Sequence, residues 1–285
     1  MNLLGAIHRY VDRYMVLRDY SPETSRAYRG DLQQFFVFLT TKYKRVVEVN
    51  EITERDIEDF LFDQQRKLTA KSVTRRGSTV RSFFKWARRE RLVETNLGAD
   101  VPLPKTRRPL PYCPSKELVQ DFLNSCTDPL VWAFTSTMYY TGLRISEVCG
   151  LKLADVDVER GVLTVHNGKG GKDRQVPLNL KVQTVLGKYL SDIRPSGRYP
   201  SFFATSRGTL SERWASERLR KERRRQGKSE QLTAHSFRHA FATHLYQSGC
   251  DLRKLKDLMG HSSLHTLDLY IRLGHNDLQE AVNLL

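Results

Sequence analysis

Six side chains in the second half of the sequence have types suited to moving a phosphoryl group: Arg144, Lys169, His235, Arg238, His261 and Tyr270. Transfer of a phosphodiester to an amino-acid hydroxyl needs a nucleophile, cationic donors for the charge that builds in the transition state, and an acid for the departing oxygen. A phenol, two guanidiniums, an ammonium and two imidazoles together supply all of these. No one of the six carries the reading alone; the set does.

Arg144 stands in Thr141-Gly-Leu-Arg-Ile-Ser-Glu147, just after an uncharged run, and Glu147 three residues on can orient its guanidinium by a charge-assisted bond. Taken singly, the two also read as an ordinary surface pair. Lys169 lies in the glycine-rich turn Asn167-Gly-Lys-Gly-Gly171, where a lysine can reach a phosphate or give up a proton. Lys172 and Arg174 are its rivals for that task. His235 and Arg238 are three residues apart, which puts a proton acceptor and a bidentate phosphate clamp on one helix face. His235, His239 and His244 invite a metal reading, but Phe237 and Arg238 stand where a zinc hydrolase would carry its glutamate. The expectation is therefore no metal and no cofactor. Tyr270, in Leu267-Asp-Leu-Tyr-Ile271, would by itself be taken for packing.

The elements that must hold these residues are mostly helices. Ser21-Pro22-Glu23 is a helix start, and Tyr28, Leu32, Phe35, Phe36 and Leu39 follow at helical spacing. Thr53 and Asp56 form a capping pair ahead of Ile57, Phe60 and Leu61. Residues 72–92 make a third helical stretch, with Gly77 as a possible break. Four prolines between Val101 and Pro111 cannot propagate a helix and mark a linker. The spacing thus predicts an all-α domain over 1–101, a linker over 102–111 and a larger, mostly helical domain over 112–285. One strand pair, Val162–His166 with Arg174–Leu178, interrupts the second.

The formal net charge is +15, from 47 Lys and Arg against 32 Asp and Glu, which attracts polyanions and above all nucleic acid. Two runs concentrate it. Lys71, Arg75, Arg76, Arg81, Lys85 and Arg88 belong to a stretch with a single acid, Glu90; Arg220 and Arg224 belong to a second, Arg213–Lys228. The rival reading of each run is a solvated helix face. The four cysteines form no C-x-x-C pair, and Asp12 and Arg13 interrupt a weak apolar start. A reducing cytoplasm without a signal peptide is expected. The run Pro129–Leu143 is too short to cross a membrane, which takes about 20 apolar residues.

The motifs together resemble the tyrosine recombinases of the phage integrase family, and the compact Xer-like members above all. The resemblance rests on Thr141–Glu147, the hairpin Gly168–Arg174 with Val176-Pro-Leu178, His235–His244, Leu258-Met-Gly-His261 and Tyr270. It runs in order along nearly the whole chain; Leu267-Asp-Leu269 stands where many Xer proteins carry threonine-rich sequence. It implies a mainly α fold, with an N-terminal four-helix SAM-like core-binding bundle and a catalytic domain with a small antiparallel sheet. It implies Tyr270 as nucleophile, Arg144 and Arg238 as the arginine pair, Lys169 as proton donor, and His235 and His261 as the two histidines. Its expected partners are double-stranded DNA at an inverted-repeat core site and three further copies, joined through the helix after Tyr270 in a homo-tetramer. A type IB-like topoisomerase and a DNA-binding regulator with a vestigial site are the rival functions.

Overall fold

The computed structural model describes residues 1–105, 112–166, 173–197 and 199–260. Lys169, Lys172, His261, Tyr270, the tail after it and most of the expected linker lie outside the described residues. The chain divides into two compact units, Met1–Arg108 and Pro109–Leu285.

Among the described residues, four longer helical segments and a 3-10 turn, Val49–Glu51, build the first unit. The first, α1, runs through Leu3–His8, a π-helical stretch Arg9–Tyr14 and Met15–Leu17. Then come α2 (Pro22–Tyr43), α3 (Glu54–Gln65) and α4 (Ala70–Arg89). The starts are local chemistry. Ser21 accepts from Thr24 N with Pro22 in the first turn, and Thr53 and Asp56 cap each other reciprocally. Leu32, Phe35 and Leu39 of α2 face Ile57, Phe60 and Leu61 of α3 and Val80, Phe83 and Phe84 of α4 in one buried cluster. Aromatic edges fill it, with Phe35 and Phe60 centroids 5.1 Å apart and Phe83 and Phe84 5.2 Å apart.

Gly77 does not break α4. The helix is continuous, and a Cβ there would collide with the Leu103 side chain of the extended segment that follows. The glycine serves a close approach, not a stop. Thr74 Oγ1 donates to Pro104 O at 3.0 Å, which fastens the same segment to α4.

In the second unit, α5 (Lys116–Asn124) leads to α6 (Pro129–Thr141), started by the Asp128 cap. Ten of the thirteen α6 residues are buried, so this helix is the spine of the core. Its hydroxyls return to the backbone: Thr135 and Thr137 donate to the carbonyls of Val131 and Ala133 at 2.6 and 2.8 Å. Gly142, at φ 68°, ends α6, and α7 (Ile145–Gly150) begins shortly after it.

The expected strand pair is part of a three-stranded antiparallel sheet, a correction to the two-strand expectation. β1 (Val156–Asp157), β2 (Val162–Val165) and β3 (Arg174–Pro177) pair in the order β1-β2-β3, with Leu163 opposite Val176 and Val165 opposite Arg174. β1 was illegible because two residues carry no alternation. After α8 (Leu180–Lys188) and a π-helical turn Tyr189–Ile193, a second small sheet pairs β4 (Ala204–Thr205) with β5 (Gly208–Thr209). Among the described residues three helices follow: α9 (Glu212–Arg225), α10 (Ala234–Gln247), which packs along α6, and α11 (Leu252–Met259). Among the described residues, no helix is long and apolar enough to cross a membrane.

Candidate active site

The site forms where α7 starts. Because Gly142 turns the chain, Arg144 falls at the N-cap of α7 and Glu147 at its third residue. Glu147 accepts from Arg144 N at 2.8 Å and from Arg144 Nη1 at 2.9 Å. The acidic residue in the first turn also suits the helix dipole. The i, i+3 pair read from the sequence is therefore a capping pair, with a side chain only 10% exposed at its acid end.

Two further arginines converge on that carboxylate. Arg174, first residue of β3, donates from Nη1 and Nη2 to Glu147 Oε1 and Oε2 at 3.0 and 2.9 Å. Arg238, buried in the second turn of α10, holds Nη1 3.7 Å from Glu147 Oε2. The Arg238 guanidinium also donates to Gly142 O and, at 2.8 Å, to Met259 O. Among the described residues, then, three guanidiniums gather around one carboxylate in a mostly buried place. Guanidiniums fixed beforehand in this way can meet a developing negative charge without reorganising. Burial alone would push the Glu147 carboxyl up. The Arg174 bonds, the Arg144 N–H and the nearby guanidiniums outweigh it and hold the acid below its ordinary range.

His235 lies exposed in the first turn of α10, one turn before Arg238. Its ring stands edge-on to His239, 6.5 Å between centroids. Burial, with His235 and Arg238 nearby, holds His239 below the ordinary imidazole value. His244 is turned to Tyr139, whose hydroxyl lies 3.1 Å from its Nδ1. That contact gives the third histidine of the metal reading another task. Among the described residues, no group of three His, Cys, Asp or Glu is placed to hold a metal ion.

The hairpin that carries Lys169 is described only at its root. There His166 Nδ1 lies 2.7 Å from Asp173 Oδ2 and Nε2 lies 3.3 Å from Asp155 Oδ1. Both ring nitrogens face carboxylates, so the arrangement calls for the imidazolium. The Asp173 bond raises the His166 pKa accordingly, with Asp155 adding to it. The sequence reading passed over His166 and Asp155, whose signal was only a histidine and an aspartate on the near side of a glycine turn.

Of the basic residues named for DNA, Lys71, Lys85 and Arg88 are exposed on α4, and Arg224 on α9. Four others are paired with groups of the protein itself, Arg75 and Arg220 while still well exposed. Arg75 donates to the buried Asp31, Arg76 lies against Asp31 and Gln64, Arg81 donates to Val101 O, and Arg220 pairs with Glu217 at 2.5 Å. Much of the Arg213–Lys228 run is likewise structural: Arg223 is buried and donates to Glu230 O at 2.7 Å, and Arg225 pairs with Glu222 at 2.7 Å.

Comparison with known proteins places this geometry. The model of the phage integrase family matches residues 116–276, and that of its N-terminal SAM-like domain matches residues 7–91. The chain belongs to the phage integrase family. Among relatives of this integrase, tyrosine recombinase XerC of Oceanobacillus iheyensis is 34% identical, over 96% of this chain and 93% of the relative. A tyrosine recombinase of Pseudothermotoga lettingae is 30% identical, over 98% and 97%. Among solved structures, XerA recombinase is 26% identical with a TM-score of 0.56, covering 98% of this chain and 97% of that one. A lambda integrase dimer bound to a COC′ core site, 20% identical, gives a TM-score of 0.79 with 95% of each chain covered, and so shares the fold. The integrase chain is mainly α, with a helical SAM-like N-terminal unit and a small antiparallel sheet in the second.

Proposed function

We propose that this protein is a site-specific DNA recombinase that cuts and rejoins strands through a 3′-phosphotyrosine on Tyr270. The observation that carries the reading is the convergence of Arg144, Arg174 and Arg238 on the carboxylate of Glu147, which presets the two arginines expected to clamp a phosphate. A scissile phosphate is the anion that such preset guanidiniums suit.

The Tyr270 hydroxyl attacks phosphorus, the bond to the 5′ oxygen breaks, and a 3′-phosphotyrosine forms. Arg144 and Arg238 stabilise the non-bridging oxygens as their charge grows. The phenol, with an ordinary pKa of about 10, needs help to lose its proton at neutral pH, and His235 assists. Lys169 protonates the departing 5′ oxygen, and His261 donates a hydrogen bond to the phosphate. The phosphotyrosine keeps the bond energy, so the 5′ hydroxyl of a partner strand reverses the step without ATP. The relatives' name, tyrosine recombinase, supports this chemistry, as does the near-complete overlap of the chains.

Its substrate is double-stranded DNA at an inverted-repeat core site, gripped by the helical unit over 1–101 and the catalytic unit over 112–285, in the cytoplasm. A structure of lambda integrase as a tetramer bound to a Holliday junction shares the fold at a TM-score of 0.75. A tetramer joined through the helix after Tyr270 fits that assembly.

Trapping on a nicked suicide duplex tests the reading. The wild-type protein accumulates a covalent adduct, and Tyr270→Phe binds the duplex without forming one. An adduct on Tyr270→Phe would move the nucleophile elsewhere. Relaxation of supercoils with no recombinant product would point to a topoisomerase, and binding without any cleavage to a regulator.

A further inference from the structure

We infer that Arg174 is a positioning residue for strand cleavage, locking the root of the lysine hairpin to the end of α11 through Glu147. The inference rests on the recombinase reading and adds a residue to it. Arg174 was a rival for the hairpin cation that meets the substrate. Its geometry gives it a different task.

All three kinds of guanidinium nitrogen are committed to protein. Nη1 and Nη2 meet the two oxygens of Glu147, and Nε donates to Leu258 O at 3.1 Å. The side chain is 11% exposed, so little of it is left to meet DNA. A fork of this kind fixes direction as well as distance, because both ends of the carboxylate and a carbonyl must be satisfied at once.

The partners are far apart in sequence. Glu147 belongs to α7 and braces Arg144; Leu258 lies in the last turn of α11; Arg174 opens β3, just beyond Lys169. Arg238 reaches the same helix end through Met259 O. Two arginines thus hold the last carbonyls of α11, where the helix dipole is negative. Gly260 follows at φ 61°, and His261 is the next residue. A Cβ on Gly260 would stand 2.7 Å from Arg174 Nη1 and 3.0 Å from Cζ. The guanidinium therefore occupies the space that any side chain at 260 would need. Strand β3, the carboxylate of Glu147 and the chain leading to His261 and Tyr270 share one fastening.

Single-turnover cleavage of a nicked suicide duplex, measured at saturating protein beside Kd from gel shift, tests the inference. Arg174→Ala should bind the duplex within about threefold of wild type yet cleave about 100-fold more slowly, the scale on which a displacement near ~1 Å acts. Arg174→Lys keeps the charge and loses the fork, so it should remain slow; it also replaces Arg174→Ala as the test if the alanine variant does not fold. Gly260→Ala should slow cleavage about tenfold, both by displacing the guanidinium and by straining a backbone at φ 61°, and the double variant should be slowed by less than the product of the two single defects, since only the strain remains once the occupied space is vacant. Cleavage by Arg174→Ala or Arg174→Lys at the wild-type rate overturns the inference. So does a defect confined to Kd, or a double variant whose defect is the product of the two single ones. Tyr270→Phe run alongside separates the two failures: an adduct on that variant sinks the recombinase reading, whereas its inertness beside a fully active Arg174→Ala sinks only the role of Arg174.

Discussion

Glu147 holds Arg144 twice, by the backbone N–H at 2.8 Å and by the guanidinium at 2.9 Å, while the same two oxygens receive the fork of Arg174. One carboxylate therefore caps a helix, aims one arginine and anchors another. Glu147→Gln keeps the shape and removes the negative charge that offsets the guanidiniums in a mostly buried place. Stability at pH 7 should fall by about 3 kcal/mol, measured by urea unfolding. Because the folded pKa of Glu147 is lowered, its contribution is present above the ordinary carboxyl value of about 4.3 and is lost as pH falls through the lowered one. The gap between wild type and Glu147→Gln should close in acid. A constant gap down to low pH would mean that the charge is not what matters.

His166 titrates in the opposite sense. Its folded pKa is raised by Asp173 and Asp155, so the staple at the hairpin root is intact below the ordinary imidazole value of about 6.5 and is lost as pH rises through the raised one. An NMR titration should place His166 above an ordinary histidine, and Asp173→Asn should bring it down. Protection of the amides in β2 and β3, relative to their intrinsic exchange at each pH, should fall over the same interval in wild type and show no such step in His166→Phe. A His166 midpoint unmoved by Asp173→Asn would dismiss the staple.

Lys169 carries a sharper chemical test. Lys169→Ala should slow cleavage strongly, and a duplex with sulfur in the 5′-bridging position should restore it, because sulfur departs without a proton. Rescue in Lys172→Ala and not in Lys169→Ala would transfer the acid further along the hairpin. With Arg174 tied to Glu147 and Leu258, the choice of donor lies between the two lysines.

The basic residues of α4 differ in their pairing. Lys85 and Arg88 are exposed, so Arg88→Ala should weaken DNA binding. The slope of log K against log salt should become shallower by about 0.9, the share of a single neutralised phosphate. Asp31, 3% exposed, gathers Arg75, Arg76 and Thr79. Asp31→Ala should cost about 2 kcal/mol of stability, a figure held down by the half-exposed Arg75. Chemical denaturation and a salt series on both variants check both effects. An unchanged salt slope for Arg88→Ala would remove that residue from the DNA contact.

What this sequence determined by itself was whatever depends on near neighbours. Ser21 with Pro22 and Thr53 with Asp56 announce their helices, since a cap reaches only to the next turn. Period alone buried Leu32, Phe35 and Leu39 on one face. Arg144, Glu147, His235 and Arg238 were legible as chemistry because their types are rare together at those spacings. Tertiary structure decided how those charges are paired. Nothing near position 174 says that its guanidinium meets Glu147, 27 residues before it, and Leu258, 84 residues after it. Likewise nothing near position 75 says that its guanidinium reaches the buried Asp31, 44 residues earlier. An arginine facing phosphate and one facing a carboxylate look alike in sequence, because the acid that claims the second is brought within hydrogen-bonding reach by folding alone.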